Sequence, residues 1–582
     1  PHTNDSWTTP MFGMYLDDER PVFGLSAAKE SPKLLVHAAT SLPRRAWVHL
    51  AATYDGHVAR LFVDGHIAAE APRSGLIARN GQPLLVGRGL GDAKPALKGA
   101  VGELRLYDRA LTVDEVRALY TTTCTGFDLA RPAEKKSPDG AVIVETKSGR
   151  PDGDGPWTGH PTRLLERVAG YTSQADRVRV NAYGSNLDAP RERATGFFRI
   201  QRMGGRAWLV DPDGFRHYSV CVNAVREPAG SKNGDWAAGV TAMLRTNGFN
   251  GLGNWSSSAL QWATNPLTWV SRWNFMFEFA KEKHLTEPAS GTVGFTNKCM
   301  PVFHRDFPAF CDRFATNLDA AAADPFMVGL MTDNELQCPV NLLDRYLELD
   351  VTKPDLKDSH DAAAVWLQAR RGSLDTRQLS RRDRYEFIAF AFERYYQLVT
   401  AAIRRHDTNH LYLGSRINYR AGEFDNPWFW KALASYHDVV SVNYYNYWGP
   451  QSEQFAQWEA WAGRPILLTE WYAKAMDVPG LANTFGAGWL VRTQEDRARY
   501  YQHFALNALE IPTIVGWHFF KYRDDPPEST ALDSAGGSNK GLVNTRDVPY
   551  APLLERARAI NREVYPLIEF LDRRTGTGTG GP

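Results

Sequence analysis

From Gly196 onward, short apolar runs alternate with helical stretches almost to the end of this 582-residue chain. Eight runs have the near-continuous hydrophobic character of buried parallel strands: 216–223, 248–254, 273–279, 326–334, 410–416, 438–446, 465–470 and 513–520. Helical patterns lie between them, at Trp236–Thr246, Asp306–Ala322, Tyr385–Arg405, Trp428–Tyr436 and Glu495–Leu509. Such alternation predicts an α/β fold, a (β/α)8 TIM barrel over residues 196–570. A doubly wound open sheet is the alternative, but no Gly-rich phosphate loop follows any of these runs.

Residues 1–122 have a different pattern, with short alternating runs at 34–37, 46–54, 58–63, 83–87 and 99–107. Asp55-Gly56 and Asp64-Gly65 between the runs are strong hairpin signals. This spacing predicts an all-β sandwich of the jelly-roll type. Residues 123–195 are rich in Pro, Gly, Asp and Lys, which indicates a linker or an irregular wrap, and residues 571–582 predict a flexible tail.

Composition argues against several classes of function. The formal net charge of +1 at pH 7 does not suit a nucleic-acid-binding surface, and no apolar run approaches the roughly 18 residues of a membrane span. The 5 cysteines and 15 histidines show no metal-ligand spacing, so we expect neither a metal nor a cofactor. The chain does not begin with Met, so we expect that sequence before Pro1 was removed. Separately, we expect a secreted or periplasmic protein.

Two of the apolar runs end in a glutamate, at Glu335 and Glu470. A barrel strand delivers catalytic side chains at its carboxyl end, and two acids delivered there can cleave a glycosidic bond. We predict that Glu335 is the proton donor, because a nearby carboxylate raises its pKa, and that Glu470 is the ionised nucleophile. The alternatives are a helix N-cap at Asn334-Glu335 and an ion pair between Glu470 and an arginine.

Other side chains at the strand ends are candidates for substrate binding. Asn334 can hydrogen-bond a sugar 2-hydroxyl if the chain turns there. Either Tyr444 or Tyr445 can orient the nucleophile, and Arg416 can contact the nucleophile or an anionic sugar. An aromatic platform beneath a sugar ring is expected at Trp517, with a place in the core as the alternative. The remaining candidates for the cleft are Asn223, Asn254, Trp255, Trp471 and His518.

The amino-terminal pattern resembles a known family. The segments Trp47–Gly56, Leu61–Gly65 and Gly102–Leu111 are similar to the laminin-G-like, concanavalin-like domains. This resemblance implies a domain that binds carbohydrate or only packs against its neighbour. Such domains begin with a further strand or two, which the sequence does not reveal here, so we expect a truncated sandwich.

The acids and their surroundings resemble glycoside hydrolase clan A, the retaining (β/α)8 enzymes with Asn-Glu after strand four and Glu after strand seven. The segments Gly204–Gly214, Asp324–Glu335, Gly516–Tyr522 and Ser538–Asn544 are more narrowly similar to the β-agarase-like enzymes of glycoside hydrolase family 50. The resemblance implies retaining, often exo-acting, hydrolysis of β-linked galactans of the agarose or porphyran type. The amino-terminal module and the loops 281–300 and 352–384 depart from that family's pattern.

We therefore predict a retaining glycoside hydrolase that acts on a polysaccharide or oligosaccharide. The alternatives are a hydrolase of another β-glycan such as carrageenan, a transglycosylase and a non-catalytic carbohydrate-binding protein. The sequence indicates neither a nucleic acid nor a membrane as a partner.

Overall fold

The structure is a computed structural model that describes most of the chain. The described residues are 12–17, 20–26, 34–39, 41–42, 47–77, 84, 86, 101–124, 135–136, 141–148, 156–228, 233–289, 292–418, 425–445 and 447–575. The chain divides into two compact units, residues 1–135 and 136–582.

The amino-terminal unit contains two small antiparallel sheets. Its elements are β1 (Phe12–Asp17), β2 (Arg20–Leu25), β3 (Leu34–His37), β4 (Leu50–Tyr54), β5 (Val58–Val63), β6 (His66–Pro72) and helix α1 (Val113–Cys124). One sheet has the order β1-β2-β3 and the other the order β4-β5-β6. Buried apolar side chains from both sheets, including Phe23, Val36 and Leu61, form one core. This region is therefore a β-sandwich, as expected.

The strands of this unit differ in part from those expected. β1 and β2 were not expected, because Pro21 and Gly24 interrupt the alternating pattern that marks a strand. Residues 101–107, expected as a strand, pair with no strand in the described part of the unit. The expected run 83–87 lies almost entirely outside the described residues. The turn at Asp64-Gly65 is present, and both residues have the positive φ (49° and 76°) that such a turn requires.

The larger unit alternates strands and helices. Its strands are β7 (Lys135–Lys136, at the boundary), β8 (Val142–Lys147), β9 (Thr158–Thr162), β10 (Arg199–Met203), β11 (Arg206–Val210), β12 (Arg216–His217), β13 (Ser219–Val222), β14 (Gly251–Leu252), β15 (Thr268–Trp273), β16 (Thr286–Ala289), β17 (Thr292–Phe295), β18 (Met327–Thr332), β19 (Leu411–Gly414), β20 (Ile417–Asn418), β21 (Val440–Asn443), β22 (Ile466–Glu470), β23 (Ala473–Ala475), β24 (Trp489–Val491) and β25 (Ile514–Phe519). Its helices are α2 (Asn233–Thr246), α3 (Phe275–Glu282), α4 (Phe307–Ala315), α5 (Leu342–Leu347), α6 (Pro354–Arg371), α7 (Arg381–His406), α8 (Pro427–Ala434), α9 (Ser452–Ala462), α10 (Gln494–Glu510), α11 (Ala551–Asn561) and α12 (Val564–Thr575). Short 3-10 helices lie at Leu165–Arg167, Ser258–Trp262, Thr296–Lys298, Thr316–Leu318 and Thr376–Gln378.

The main sheet of this unit is parallel and curled, with the strand order β19-β18-β15-β14-β13-β25-β22-β21-β20. The strands at the two ends of this order, β19 and β20, are consecutive pieces of the segment 411–418. Because the strands are parallel, their carboxyl ends meet along one edge of the sheet. The residues that follow the strands, widely separated in sequence, therefore gather at that edge.

Apolar side chains cover both faces of the sheet. On one face, Phe198 and Leu209 of the β10–β11 hairpin pack against Val328, Leu467 and Val515 of the parallel strands. The backbone N–H of Ala207 donates to the Pro512 carbonyl (2.9 Å), just before β25, so the hairpin lies at the amino ends of the strands. The other face packs against the helices in a larger core. This arrangement leaves the carboxyl edge open for a site.

The expected strand at 273–279 is wrong. The strand here is β15, and helix α3 follows it directly. Phe275, Met276, Phe279 and Ala280 are buried, a spacing that places them on one side of a helix. The carboxylate of Asp333 accepts from the backbone N–H groups of Met276 and Phe277 (both 2.9 Å) and caps the helix start. The apolar run at 273–279 is too short to show whether its apolar residues repeat as in a strand or as in a helix, and it was assigned to a strand.

Several segments expected to be irregular contain regular structure. The segment 352–384 holds α6, an 18-residue helix, and the start of α7. Within 123–195, β8 and β9 form an antiparallel pair, and β8 also pairs with β24. Helix α12 continues to Thr575, and the rest of the expected tail lies outside the described residues. None of the described helices combines the length and the apolar character that a membrane crossing needs.

Candidate active site

Glu335 and Glu470 lie in one hydrogen-bonded cluster at the carboxyl edge of the parallel sheet. Glu470 is the last residue of β22, and Glu335 follows shortly after β18. Asn443, the last residue of β21, connects their surroundings. Its Nδ2 donates to Glu335 Oε1 (2.7 Å), and its Oδ1 accepts from the hydroxyl of Thr469 (2.8 Å). The structure therefore brings the two acids of the sequence prediction to one place.

Both carboxylate oxygens of Glu470 are held by donors. Arg416 Nη2 donates to Oε1 (2.7 Å), and the hydroxyl of Tyr445 donates to Oε2 (2.7 Å). The same guanidinium donates through Nη1 to Asn334 Oδ1 (2.7 Å), which positions the residue before Glu335. Burial and the charge of Glu470 keep the pKa of Tyr445 well above its ordinary value, so it remains a neutral donor. This environment stabilises an ionised carboxylate in a fixed orientation.

Glu335 lies in an environment that favours its neutral form. Burial raises its pKa, and the charge of Glu470 raises it further. Hydrogen bonds from Asn443 and Asn418, together with the charge of Arg416, lower it, and the net result is a pKa of about 7. Glu335 is thus able to hold a proton close to neutral pH. Glu470, in contrast, accepts hydrogen bonds from the cation Arg416 and the neutral Tyr445.

The chain turns sharply at the Asn334-Glu335 pair. Asp333 and Glu335 both have positive φ (53° and 51°), a conformation that is uncommon for residues other than glycine. Asp333 is held by helix α3 and by the hydroxyl of Tyr395 (2.5 Å), which fixes the start of the turn. Strand alternation alone would have pointed Asn334 and Glu335 to opposite faces. The turn lets both reach the cluster.

Aromatic rings lie next to Arg416 and Tyr445, the two residues that hold Glu470. The Arg416 guanidinium carbon lies 4.3 Å from the centre of the half-buried Trp255 ring. Trp255 meets Phe520 edge to face (5.8 Å), Phe520 adjoins Tyr472 (5.8 Å), and Tyr472 adjoins Tyr445 (5.4 Å). Trp255, a cleft candidate of the sequence analysis, thus contacts the arginine that holds Glu470.

Three of the residues expected to bind substrate lie on the helix side of the sheet. The Tyr444 hydroxyl donates to Gln454 Oε1 (2.9 Å) in α9. The Trp471 ring stacks on Phe504 of α10, with centroids 3.9 Å apart and an angle of 3° between the planes. Trp517 Nε1 donates to the hydroxyl of Tyr501, also in α10 (3.3 Å). Each neighbours a residue that faces inward, so the two-residue alternation of a strand turns it away from the acids.

Three other expected residues are buried inside the sheet. Asn223 Nδ2 donates to the Thr469 carbonyl (2.8 Å), and Asn254 Nδ2 lies 3.2 Å from the sulfur of Met331. His518 Nε2 lies 3.4 Å from the hydroxyl of Ser219, and burial lowers the pKa of His518 to about 3. These side chains are less than 3% exposed, so they support the site from within and do not line an open cleft.

The sequence prediction missed several residues of this site. Asn443 and Asn418 contact Glu335, Asp333 anchors the turn, and Phe520 lies against Trp255. Asn443 and Phe520 lie near the carboxyl ends of two predicted strands, 438–446 and 513–520, so their position in the sequence could have predicted a place in the site. Asn418 lies in β20, which is separated from β19 by two residues, so the predicted strand 410–416 ended before it. Among the residues that the structure describes, no cluster of three or more His, Cys, Asp or Glu side chains could hold a metal ion.

Comparison with known proteins identifies relatives of this chain. Residues 2–117 match the family model described as the concanavalin A-like lectin/glucanases superfamily. The chain is 23% identical over 489 residues to β-agarase B of Vibrio sp. (strain JT0107), covering 66% of this chain and 50% of that protein. It is 28% identical over 384 residues to β-agarase A of the same strain, covering 57% of this chain and 36% of that protein. The chain thus spans half or less of the length of these curated relatives.

Solved structures give a similar result. A crystal structure titled BpGH50 matches with a TM-score of 0.65 and 29% identity, covering 76% of this chain and 98% of that one. The agarase AgWH50C matches in fold with a TM-score of 0.55 and 15% identity, covering 96% and 97%. The resemblance seen in the sequence is confirmed: the chain is like the β-agarase-type enzymes of glycoside hydrolase family 50 and carries an amino-terminal concanavalin-like region.

Proposed function

We propose that the larger unit is a retaining glycoside hydrolase that cleaves β-linked galactan of the agarose or porphyran type, with Glu335 as acid and base and Glu470 as nucleophile. The observation that carries the proposal is the contrast between the two acids. Glu470 is fixed by Arg416 and Tyr445, whereas the pKa of Glu335 is raised to about 7. Two acids with opposite protonation states in one site are what a double displacement requires.

The proposed scaffold is a (β/α)8 barrel. β13 pairs with both β14 and β25, and the end strands β19 and β20 continue one another along the chain. Counting β19 and β20 as one strand, we infer eight parallel strands that close on themselves. The acids then follow the fourth and the seventh strand, at the face where enzymes of this fold carry their catalytic groups.

The first step of the proposed reaction forms a covalent intermediate. A carboxylate oxygen of Glu470 attacks the anomeric carbon, the bond from that carbon to the glycosidic oxygen breaks, and Glu335 gives its proton to the departing oxygen. Arg416 and Tyr445 keep the attacking carboxylate in place. The side-chain amide of Asn334, held by Arg416, is the group we assign to the sugar 2-hydroxyl.

The second step releases the sugar. Glu335, now ionised, takes a proton from water, and the water oxygen attacks the anomeric carbon while the bond to Glu470 breaks. Two inversions at one carbon retain the β configuration. The substrate class is proposed from the relatives named β-agarase, and exo action from the similarity in fold to a structure titled as an exo-β-agarase. We also propose that the protein is secreted, since its substrate is a polymer.

The test follows the product anomer by proton NMR during the first minutes of hydrolysis. We expect β-anomeric product first, followed by slow mutarotation, and release of reducing sugar from agarose or porphyran in preference to carrageenan. Exo action predicts one small product at all times instead of a ladder. Initial formation of the α anomer, or no release of reducing sugar from any of the three, would contradict the proposal.

A matched pair of tyrosines tests the positioning of the nucleophile. Tyr445→Phe removes a donor to Glu470, so we expect kcat to fall about 10- to 100-fold, as for loss of a hydrogen bond to a charged group. Tyr444→Phe removes a neighbouring hydroxyl that contacts Gln454 instead, and we expect kcat to stay within about twofold. Steady-state kinetics on one galactan oligosaccharide measure both. Equal effects of the two variants would remove Tyr445 from this role.

A further inference from the structure

One arginine beside the two acids has no part in the proposed mechanism. Arg272 lies near the carboxyl end of β15, two residues after Val270, whose side chain belongs to the inner core of the sheet. Strand alternation therefore directs Arg272 inward as well. Its guanidinium carbon lies 4.8 Å from the Trp255 ring centre, and its Nη1 donates to Asn274 Oδ1 (2.9 Å). Arg272 thus shares Trp255 with Arg416.

A second arginine reaches the same tryptophan from the surface. Nε of the exposed Arg226 donates to the Trp255 carbonyl (3.1 Å). Three guanidinium groups therefore contact Trp255, and one of them, that of Arg416, also holds Glu470. Within the part of the chain that the structure describes, Arg416 forms an ion pair with Glu470, whereas Arg226 and Arg272 form none.

The charge of Arg272 is costly in its present surroundings. The side chain is half-buried, and its hydrogen-bond partner Asn274 is neutral. Burial, and then the charges of Arg416 and Arg226, lower the pKa of Arg272, whereas the charges of Asp333 and Glu470 raise it. The net pKa is about 10, so Arg272 remains a cation at neutral pH. A partly desolvated cation that makes no ion-pair contact with a carboxylate is stabilised when an anion binds its guanidinium directly.

We propose that Arg272 and Arg226, beside Trp255, form a subsite for an anionic substituent of the galactan, a sulfate ester or a carboxylate. The inference rests on the proposed function and narrows it, since the preferred substrate becomes an anionic galactan. Guanidinium groups suit this ligand because their planar donors match the oxygens of sulfate and carboxylate. The subsite lies against the acids because Trp255 contacts Arg416, which itself holds Glu470.

Binding to a catalytically silent variant tests the subsite separately from turnover. Glu335→Gln is titrated by calorimetry with three β-galactan tetrasaccharides of one length: neutral, sulfated and carboxylate-bearing. We expect at least one anionic sugar to bind about tenfold tighter than the neutral one. We expect that advantage to shrink as salt is raised, because exposed charges are screened. The two anionic sugars show which substituent is preferred.

Arginine substitutions in the same background localise the effect. Arg272→Gln should remove most of the advantage of the anionic sugar, Arg226→Gln part of it, and Arg272→Lys should retain more than Arg272→Gln. Arg313→Gln is the matched control, since Arg313 also lies over an aromatic ring, Phe310 (5.3 Å), but in helix α4. It should leave all three affinities unchanged. Circular dichroism verifies that each variant is folded.

The outcomes separate the subsite from the proposed function. Equal affinity for neutral and anionic sugars, or an equal loss for both in Arg272→Gln, overturns the subsite and leaves the hydrolase proposal standing. An anionic preference in binding, with no hydrolysis of any galactan by the unaltered enzyme, overturns the hydrolase proposal instead. If none of the three sugars binds, both proposals fail.

Discussion

Replacing Glu470 by glutamine should lower kcat/KM on a β-galactan oligosaccharide by about 10⁴-fold or more, because the amide cannot attack the anomeric carbon. The variant should remain folded, since glutamine keeps the size of the side chain and an oxygen for Arg416 and Tyr445. Some stability should be lost, because Arg416 is fully buried and loses its counter-ion. Breaking a buried ion pair costs about 3–5 kcal/mol. Steady-state kinetics and thermal unfolding measure the two effects.

Controls distinguish a lost nucleophile from a damaged fold. Glu459→Gln removes a carboxylate that pairs with Arg202 at the surface, and it should change neither activity nor melting temperature appreciably. Glu470→Gly opens space for azide at the face of the missing carboxylate. Azide should then restore turnover and give the α-glycosyl azide, because only one inversion occurs. Near-full activity in Glu470→Gln, or a β-glycosyl azide from Glu470→Gly, would remove Glu470 from the nucleophile role.

The parts of this site that the sequence predicted share a simple signal. Glu335 and Glu470 each end an apolar run, and a parallel sheet brings such ends together whatever their separation in the chain. Arg416 was predicted as a site residue because it also ends an apolar run. Of the two roles predicted for it, contact with the nucleophile or with an anionic sugar, the structure has the contact with Glu470. The alternative considered for Glu470, an ion pair with an arginine, also holds, because Arg416 contacts the carboxylate that we propose as nucleophile. An ion pair and a catalytic role are therefore compatible here.

The parts that the sequence did not predict depend on where each strand ends. A shift of one residue reverses which side chain faces the acids, and this separates Tyr445 from Tyr444. Because the facing of each side chain was not known, Trp471 and Trp517 were predicted to line the cleft, whereas both pack against α10. The third strand was misplaced because the run through Phe275 has no clear period, and its helix is fixed by Asp333, a distant residue. A contact between residues this far apart in the chain cannot be predicted from the pattern of neighbouring residues.

Replacing Glu335 by alanine should lower turnover of a galactan oligosaccharide by about 10²- to 10⁴-fold, the usual contribution of a general acid and base. An aryl galactoside with an acidic phenol needs no proton on its leaving oxygen, so we expect its cleavage to form the glycosyl-enzyme at a nearly unchanged rate. Slow hydrolysis of that intermediate should then limit turnover. Azide should relieve this limit and give the β-glycosyl azide, since Glu470 is still present and two inversions occur.

The pH dependence of the same variant follows from the pKa of Glu335. In the unaltered enzyme Glu335 must be protonated, so kcat/KM on a galactan should fall as the pH rises through about 7. Glu335→Ala should lack this alkaline limb, because the group that titrates is gone. Since the charge of Glu470 is one of the causes that raise the pKa of Glu335, Glu470→Gln should lower it. Carbon-13 NMR of labelled glutamate measures that shift, and an unchanged alkaline limb in Glu335→Ala would assign the acid to another residue.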